Sequence, residues 1–239
     1  EFLLGMTKAR KKSEIIMPKS GKPSVTKAYM SACSEKPTLL KEPQNLLVIL
    51  DLNGTLLYRL DSRKTPRFIA RPQGLEFLEK CVEKFYVVVW SSAGPEKVKM
   101  ICNSFIPPLL HKKVIAIWGR DKLGLSPKEY RLRVQCYKRL THVWNDVIIS
   151  KSHPEYSQGA RWNQTNTVLI DDSTEKGLSE PYNLIKIPEF MGDINEPGEV
   201  LLRNYDYLCH LSMYSNVSSY LRHGYPAPKA EDNSKIKPI

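Results

Sequence analysis

The chain has 239 residues, 41% hydrophobic and 26% charged, with a net charge of +11. That suits one packed domain of moderate size, and no run approaches the roughly 18 to 20 apolar residues needed to span a bilayer. Five scattered cysteines without a C-x-x-C pair argue against a zinc site and for a reducing compartment. The opening Glu1–Met6 is too short for a signal peptide's apolar region, so an intracellular protein, nuclear or cytoplasmic, is expected.

Residues 1–44 hold nine Lys or Arg against four Glu, together with four Pro and no hydrophobic period. Such a stretch buries too little to offset its ordering entropy, so a flexible basic arm is predicted. Its cluster Lys8 to Lys12 reads as a nuclear address, a weak nucleic-acid contact or a solvated linker.

A globular domain is expected over 45–224, opening with a strand at Leu46 to Leu50. The Arg-rich connection Tyr58 to Arg71 has the length of a hairpin or flap. Leu75, Phe77, Leu78, Cys81, Val82 and Phe85 then make a helical apolar face after Pro72. Tyr86 to Trp90 is β-branched and hydrophobic, hence a central strand, and Pro95 to Phe105 an amphipathic helix. Further strands are predicted at Val114 to Trp118, Thr167 to Ile170 and, at an edge, Tyr182 to Ile187. Helices are predicted around Val134 to Trp144 and within 196–222. Residues 151–165 read as a polar surface insertion and 225–239 as a loose tail. Strands alternating with helices predict an α/β fold with a mostly parallel sheet.

Three of these strands end in polar residues at one sheet edge: Asp51, Ser91 and Asp171. Ligands bind at that edge in open α/β sheets. A lysine from the intervening helical region, Lys138 or alternatively Lys151, can reach the same crevice. Two carboxylates can hold one Mg²⁺ that keeps several waters, while a hydroxyl and an ammonium bind phosphate oxygens. A carboxylate so placed can attack phosphorus.

The strings VILDLNGTLLY, FIARPQGLEFLEK running into FYVVVWSSA, YKRLTHVW and TVLIDDS follow one another in this order. Together they resemble the haloacid dehalogenase (HAD) superfamily, and within it the RNA polymerase II C-terminal-domain phosphatases and their small relatives. The likeness runs from about Leu46 to Phe190. It implies a HAD-like Rossmannoid fold with a short flap and no large cap domain. It also implies a Mg²⁺ cofactor and a phosphorylated protein or peptide as substrate. By position, Asp51 is implied as nucleophile and metal ligand, the Asn53 carbonyl and Asp171 as further ligands, and Asp172 at or beside them. Ser91 is implied to hold the phosphoryl group, and Lys138, in YKRL, stands where the family has K-D-L. Thr55, Ser92, Arg71 and Arg120 are candidate substrate contacts.

Asn53 departs from the pattern, which has a second Asp there as general acid and base. An amide can do neither, and losing such a group costs about 10² to 10⁴ in rate. A natural subfamily with altered chemistry, a pseudoenzyme and an engineered substitution all fit. The readings in order are a weakened or altered phosphatase, a binding or scaffold protein of the same fold (import-receptor-like among them), and a nucleic-acid factor.

Overall fold

The computed structural model describes residues 15–60 and 67–224. Five parallel strands form the central sheet: β1 (Leu47–Leu50), β4 (Tyr86–Trp90), β5 (Ala116–Trp118), β6 (Thr167–Asp171) and β7 (Leu184–Lys186). Their spatial order is β5-β4-β1-β6-β7. β1 is central and every residue of its LVIL run is buried, which explains its lack of hydrophobic–polar alternation.

Alternate side chains of each strand serve two separate cores. Val48, Leu50, Val87, Val89, Val168 and Ile170 face one. Helices α2 (Gly74–Lys84), α3 (Pro95–Phe105), α8 (Glu199–Leu211) and α9 (Val217–Arg222) cover it through Phe77, Cys81, Ile101, Leu208 and Tyr220. Leu47, Ile49, Val88, Trp90 and Leu169 face the other, with Leu140 and Val143 of α6 (Leu140–Asn145) and Ile149 of α7 (Val147–Lys151). Trp118 and Trp162 complete this second core. Helices on both faces force the strand ends, and the polar residues they carry, to be the accessible edge.

The connection after β1 is an antiparallel hairpin, β2 (Leu57–Leu60) with β3 (Arg67–Ala70). It supplies the expected short flap, although residues 61–66 lie outside the described residues. Short helices α4 (Pro108–His111) and α5 (Pro127–Tyr130) follow α3 and β5 respectively.

Three expectations change. Much of the stretch expected as a flexible arm is built into the domain, carrying α1 (Lys27–Ser34) capped by the Thr26 side chain. Tyr29 and Cys33 of α1 are buried, the Tyr29 hydroxyl donates to Asn183 Oδ1 at 2.8 Å, and the helix packs on α9. Its partners lie more than 130 residues away, in Gln164, Asn183 and Asn216, so no local period announces it. Lys8 to Lys12 and the tail 225–239 lie outside the described residues. The helix expected from Val134 begins only at Leu140: Val134 bridges to Ile16 instead, and Arg139 before the helix is extended. Finally, 151–165 is not wholly surface: Trp162 is 2% exposed and donates to the Ile149 carbonyl at 3.0 Å.

Candidate active site

Asp51 is the first residue beyond β1, and its N–H donates to the Ile170 carbonyl of β6 at 3.0 Å, continuing the ladder. The pairing of Leu50 with both Val89 and Ile170 therefore brings Asp51, Ser91 and Asp171 to one edge. A tight turn follows, in which Leu56 and Leu57 both donate to the Leu52 carbonyl. Gly54 takes φ +84° there, and a Cβ at this position would stand 2.9 Å from Asp172 Cγ. Glycine thus satisfies the backbone and lets the loop after β6 approach the loop after β1.

Three carboxylates converge. Donor oxygens of Asp51, Asp171 and Asp172 all lie within 4.8 Å of one another. Asp51 and Asp171 are buried, with Asp172 half-buried. Two ammonium groups share them. Lys138 is 0% exposed and donates to Asp51 Oδ1 at 2.8 Å and Asp171 Oδ2 at 2.6 Å. Lys176 donates to the opposite oxygens, Asp51 Oδ2 and Asp171 Oδ1, at 2.9 Å each, and reaches Asp172 Oδ1 at 3.3 Å. The two lysines are tied through the backbone, the Lys138 N–H donating to the Lys176 carbonyl at 2.7 Å.

Burial alone pushes the Asp51 carboxyl up, but the charges and hydrogen bonds of Lys138 and Lys176 outweigh it and hold Asp51 at about 2. Asp172 goes the other way, to about 6, because burial and the neighbouring carboxylates exceed the pull of Lys176. Burial lowers the Lys176 ammonium, yet the attraction of Asp51, Asp171 and Asp172 raises it overall, so it stays charged. Asp51 is accordingly an ionised, nearly dehydrated carboxylate at neutral pH.

The structure brings Lys138 to the carboxylates, while Lys151 is exposed at the end of α7. Lys138 reaches them from the extended segment before α6 and not from a helix. Ser91 is buried at the end of β4, its N–H on the Trp118 carbonyl and its Oγ accepting from the Ala93 N–H at 3.3 Å; Ser92 beside it is half-buried. Thr55 is fully buried and its hydroxyl has no hydrogen-bond partner among the described residues. The Asn53 side-chain Oδ1 accepts from the Arg59 N–H at 2.8 Å, closing the turn into the flap.

Both candidate arginines are engaged within the protein. Arg71 donates through Nε and Nη2 to the two Glu196 oxygens at 2.6 and 2.8 Å, and through Nη1 to the Thr55 carbonyl at 3.2 Å. Arg120 holds the 129–136 loop by donating to the carbonyls of Tyr130, Glu129 and Leu132 and to Cys136 Sγ. Lys176 is the member of the cluster that sequence reasoning missed. Its four-residue spacing from Asp172 was the available signal, since that offset brings side chains together in a helical turn.

Residues 46–218 match the family model of the NLI interacting factor-like phosphatases. The chain belongs to that family. Its fold is HAD-like, a parallel sheet flanked by helices. One relative is an uncharacterised FCP1 homology domain-containing protein of Schizosaccharomyces pombe. It is 34% identical over 188 residues, covering 73% of this chain and 75% of that protein. Ubiquitin-like domain-containing CTD phosphatase 1 of Xenopus tropicalis is 22% identical over 174 residues, and the match covers 72% of this chain but only 51% of that protein. Among solved structures, fission yeast RNA polymerase II CTD phosphatase Fcp1 bound to beryllium fluoride aligns at 14% identity and a TM-score of 0.39. That alignment covers 75% of this chain and 54% of Fcp1. Among the described residues no helix is long and apolar enough to cross a membrane.

Proposed function

We propose that this domain is a Mg²⁺-dependent phosphomonoesterase acting on phosphoserine or phosphothreonine in proteins, with its proton transfer weakened by Asn53. The observation that carries the reading is Asp51, buried at the sheet edge and kept ionised by two ammonium groups among three converging carboxylates. The phosphatase family model and a relative named as a CTD phosphatase support a phosphorylated polypeptide as substrate.

The residues fit the cation. Asp51, Asp171 and Asp172 offer hard oxygen donors at the separation one small divalent ion needs, with the Asn53 carbonyl as a further candidate. Mg²⁺, when bound there, supplies charge neutralisation for the phosphoryl oxygens. The protein's own groups do the rest. An Asp51 oxygen attacks phosphorus, the bond from phosphorus to the seryl oxygen breaks, and the leaving oxygen takes a proton from water, since the Asn53 amide has none to give. Water then attacks the phosphorus of the aspartyl-phosphate, releasing phosphate and restoring Asp51. The hydroxyl of Ser91 orients the phosphoryl group, as does Thr55, whose buried hydroxyl has no partner among the described residues. Substrate contact is assigned to these groups ahead of Arg71 and Arg120, whose donors are used within the fold.

Both proton transfers call for a carboxyl at position 53. Hydrolysis of an aryl phosphate by the chain and by Asn53→Asp, each with and without Mg²⁺, tests the reading. Mg²⁺-dependent turnover that rises in Asn53→Asp is expected. No turnover by either folded protein sinks it. Phosphopeptide binding without turnover is the second reading, favoured by Asn53 itself, because its Oδ1 already serves the Arg59 N–H and its amide cannot exchange protons with a leaving group.

A further inference from the structure

Each of the two buried carboxylates divides its oxygens between two lysines. Asp51 Oδ1 and Asp171 Oδ2 face Lys138, which is sealed from solvent. Asp51 Oδ2, Asp171 Oδ1 and Asp172 Oδ1 face Lys176, whose side chain is 15% exposed. These last three oxygens belong to the only three carboxylates that could hold a metal together among the described residues. The Lys176 ammonium therefore stands at the focus a divalent cation would occupy, on the solvent side of Lys138.

An ammonium and a magnesium ion cannot share that focus. Lys176 keeps its oxygens at 2.9 to 3.3 Å, whereas Mg²⁺ draws oxygens to about 2.0–2.1 Å and demands near-octahedral space. Their like charges would also repel across a poorly hydrated crevice. We infer that Lys176 is a tethered competitor for the metal: Mg²⁺ enters only by displacing its ammonium from Asp51, Asp171 and Asp172. The inference rests on the Mg²⁺ site proposed above and adds the residue that tunes its affinity.

The placement of Lys176 suits such exchange. It sits on a single turn of 3₁₀ helix, Glu175–Gly177, that begins four residues after the strand ends. The turn is short and the Lys176 side chain already reaches solvent, so it can swing outward without disturbing the sheet. Lys138 has no comparable exit. The electrostatics follow from counting charges. With both lysines in place the five groups carry three negative and two positive charges, so an incoming phosphate dianion meets no surplus of positive charge. With Lys176 displaced, Mg²⁺ and Lys138 together balance the three carboxylates, so the net negative charge is removed. Phosphate binding is thus linked to the exchange of one cation for another.

The test is direct Mg²⁺ binding by isothermal titration calorimetry on the whole chain, comparing wild type with Lys176→Met and Lys176→Gln. Methionine keeps much of the apolar stem, and glutamine keeps a donor without charge. Circular dichroism establishes that each is folded, and two variants guard against one failing to fold. The expected result is Mg²⁺ affinity at least tenfold tighter in both variants, with a larger Mg²⁺-induced rise in melting temperature than wild type shows. Equal or weaker affinity in the folded variants overturns the inference, whatever their phosphatase activity. Absence of Mg²⁺ binding in all three proteins overturns it together with the proposed metal site. Tighter binding in the variants alongside an inactive Asn53→Asp would support the competition and refute the phosphatase reading, so the two failures are distinguishable.

Discussion

Arg71 was a candidate substrate contact, but its geometry makes it a clamp, and the two roles predict different outcomes. Its side chain is 1% exposed and pairs in bidentate fashion with Glu196, which is 19% exposed. Its remaining nitrogen donates to the Thr55 carbonyl, and its guanidinium lies 5.5 Å from the Phe190 ring centre. One residue thus joins the loop after Asp51, the foot of the flap and the segment following β7. Removing one partner of a fully buried pair costs about 3–5 kcal/mol, because the survivor is left uncompensated. Glu196 can partly turn to water, which places Arg71→Met near the lower limit, about 3 kcal/mol. For a domain of this size that lowers the melting temperature by roughly 6–12 °C. The assay is a double-mutant cycle of Arg71→Met and Glu196→Gln followed by chemical denaturation. A coupling of about 1–3 kcal/mol is expected, in the range found for residues in one ion-pair network. Coupling below about 0.5 kcal/mol, with stability retained and only substrate affinity impaired, would refute the clamp and restore the substrate role.

Asn53→Asp should raise aryl-phosphate turnover in Mg²⁺ by about 10² to 10⁴, the usual worth of a positioned acid and base, as read in initial rates. Gly54→Ala should lose about 1–2 kcal/mol in denaturation for forcing a side chain into left-handed backbone. It should also weaken Mg²⁺ binding, because its Cβ would push on Asp172 from 2.9 Å. Lys138→Met should cost about 3–5 kcal/mol, because Lys176 alone then faces three carboxylates, and Mg²⁺ titrated into the variant should recover part of the lost melting temperature. Burial raises the Glu180 carboxyl above its ordinary 4.5, against the pull of the Ser179 hydroxyl and the Leu140 N–H. A raised folded-state value favours the protonated form, so this contribution to stability is largest below 4.5 and declines as pH rises through the folded value. Glu180→Gln should therefore gain on wild type with rising pH in denaturation midpoints, and parallel profiles would contradict it.

Much of the fold was legible because strand signals are local. The aliphatic runs before Asp51, Ser91 and Asp171 are buried on both faces, and a run of four or five such residues ending in a polar one reads as a central strand in any context. The α1 helix was illegible because its few apolar residues are buried by α9 and by Asn183 and Gln164, none of them near it in sequence. The early start assigned to the Val134–Trp144 helix failed for a related reason. The Lys138 N–H is satisfied by the Lys176 carbonyl, a partner offered by a different loop, and the chain stays extended to reach it.

The same division holds for the chemistry. Sequence by itself determined which residues stand at the strand ends, since side-chain type and strand termination are local properties, and it singled out the amide at position 53. Only the tertiary structure decided which charges meet. Lys138 rather than Lys151 enters the carboxylates, Arg71 is spent on Glu196, and Lys176 joins Asp51, Asp171 and Asp172. Ion pairs at 2.6 to 3.3 Å depend on loops from separate crossovers converging on one edge, and in a dehydrated crevice that convergence sets both the charge state of Asp51 and the cation it meets.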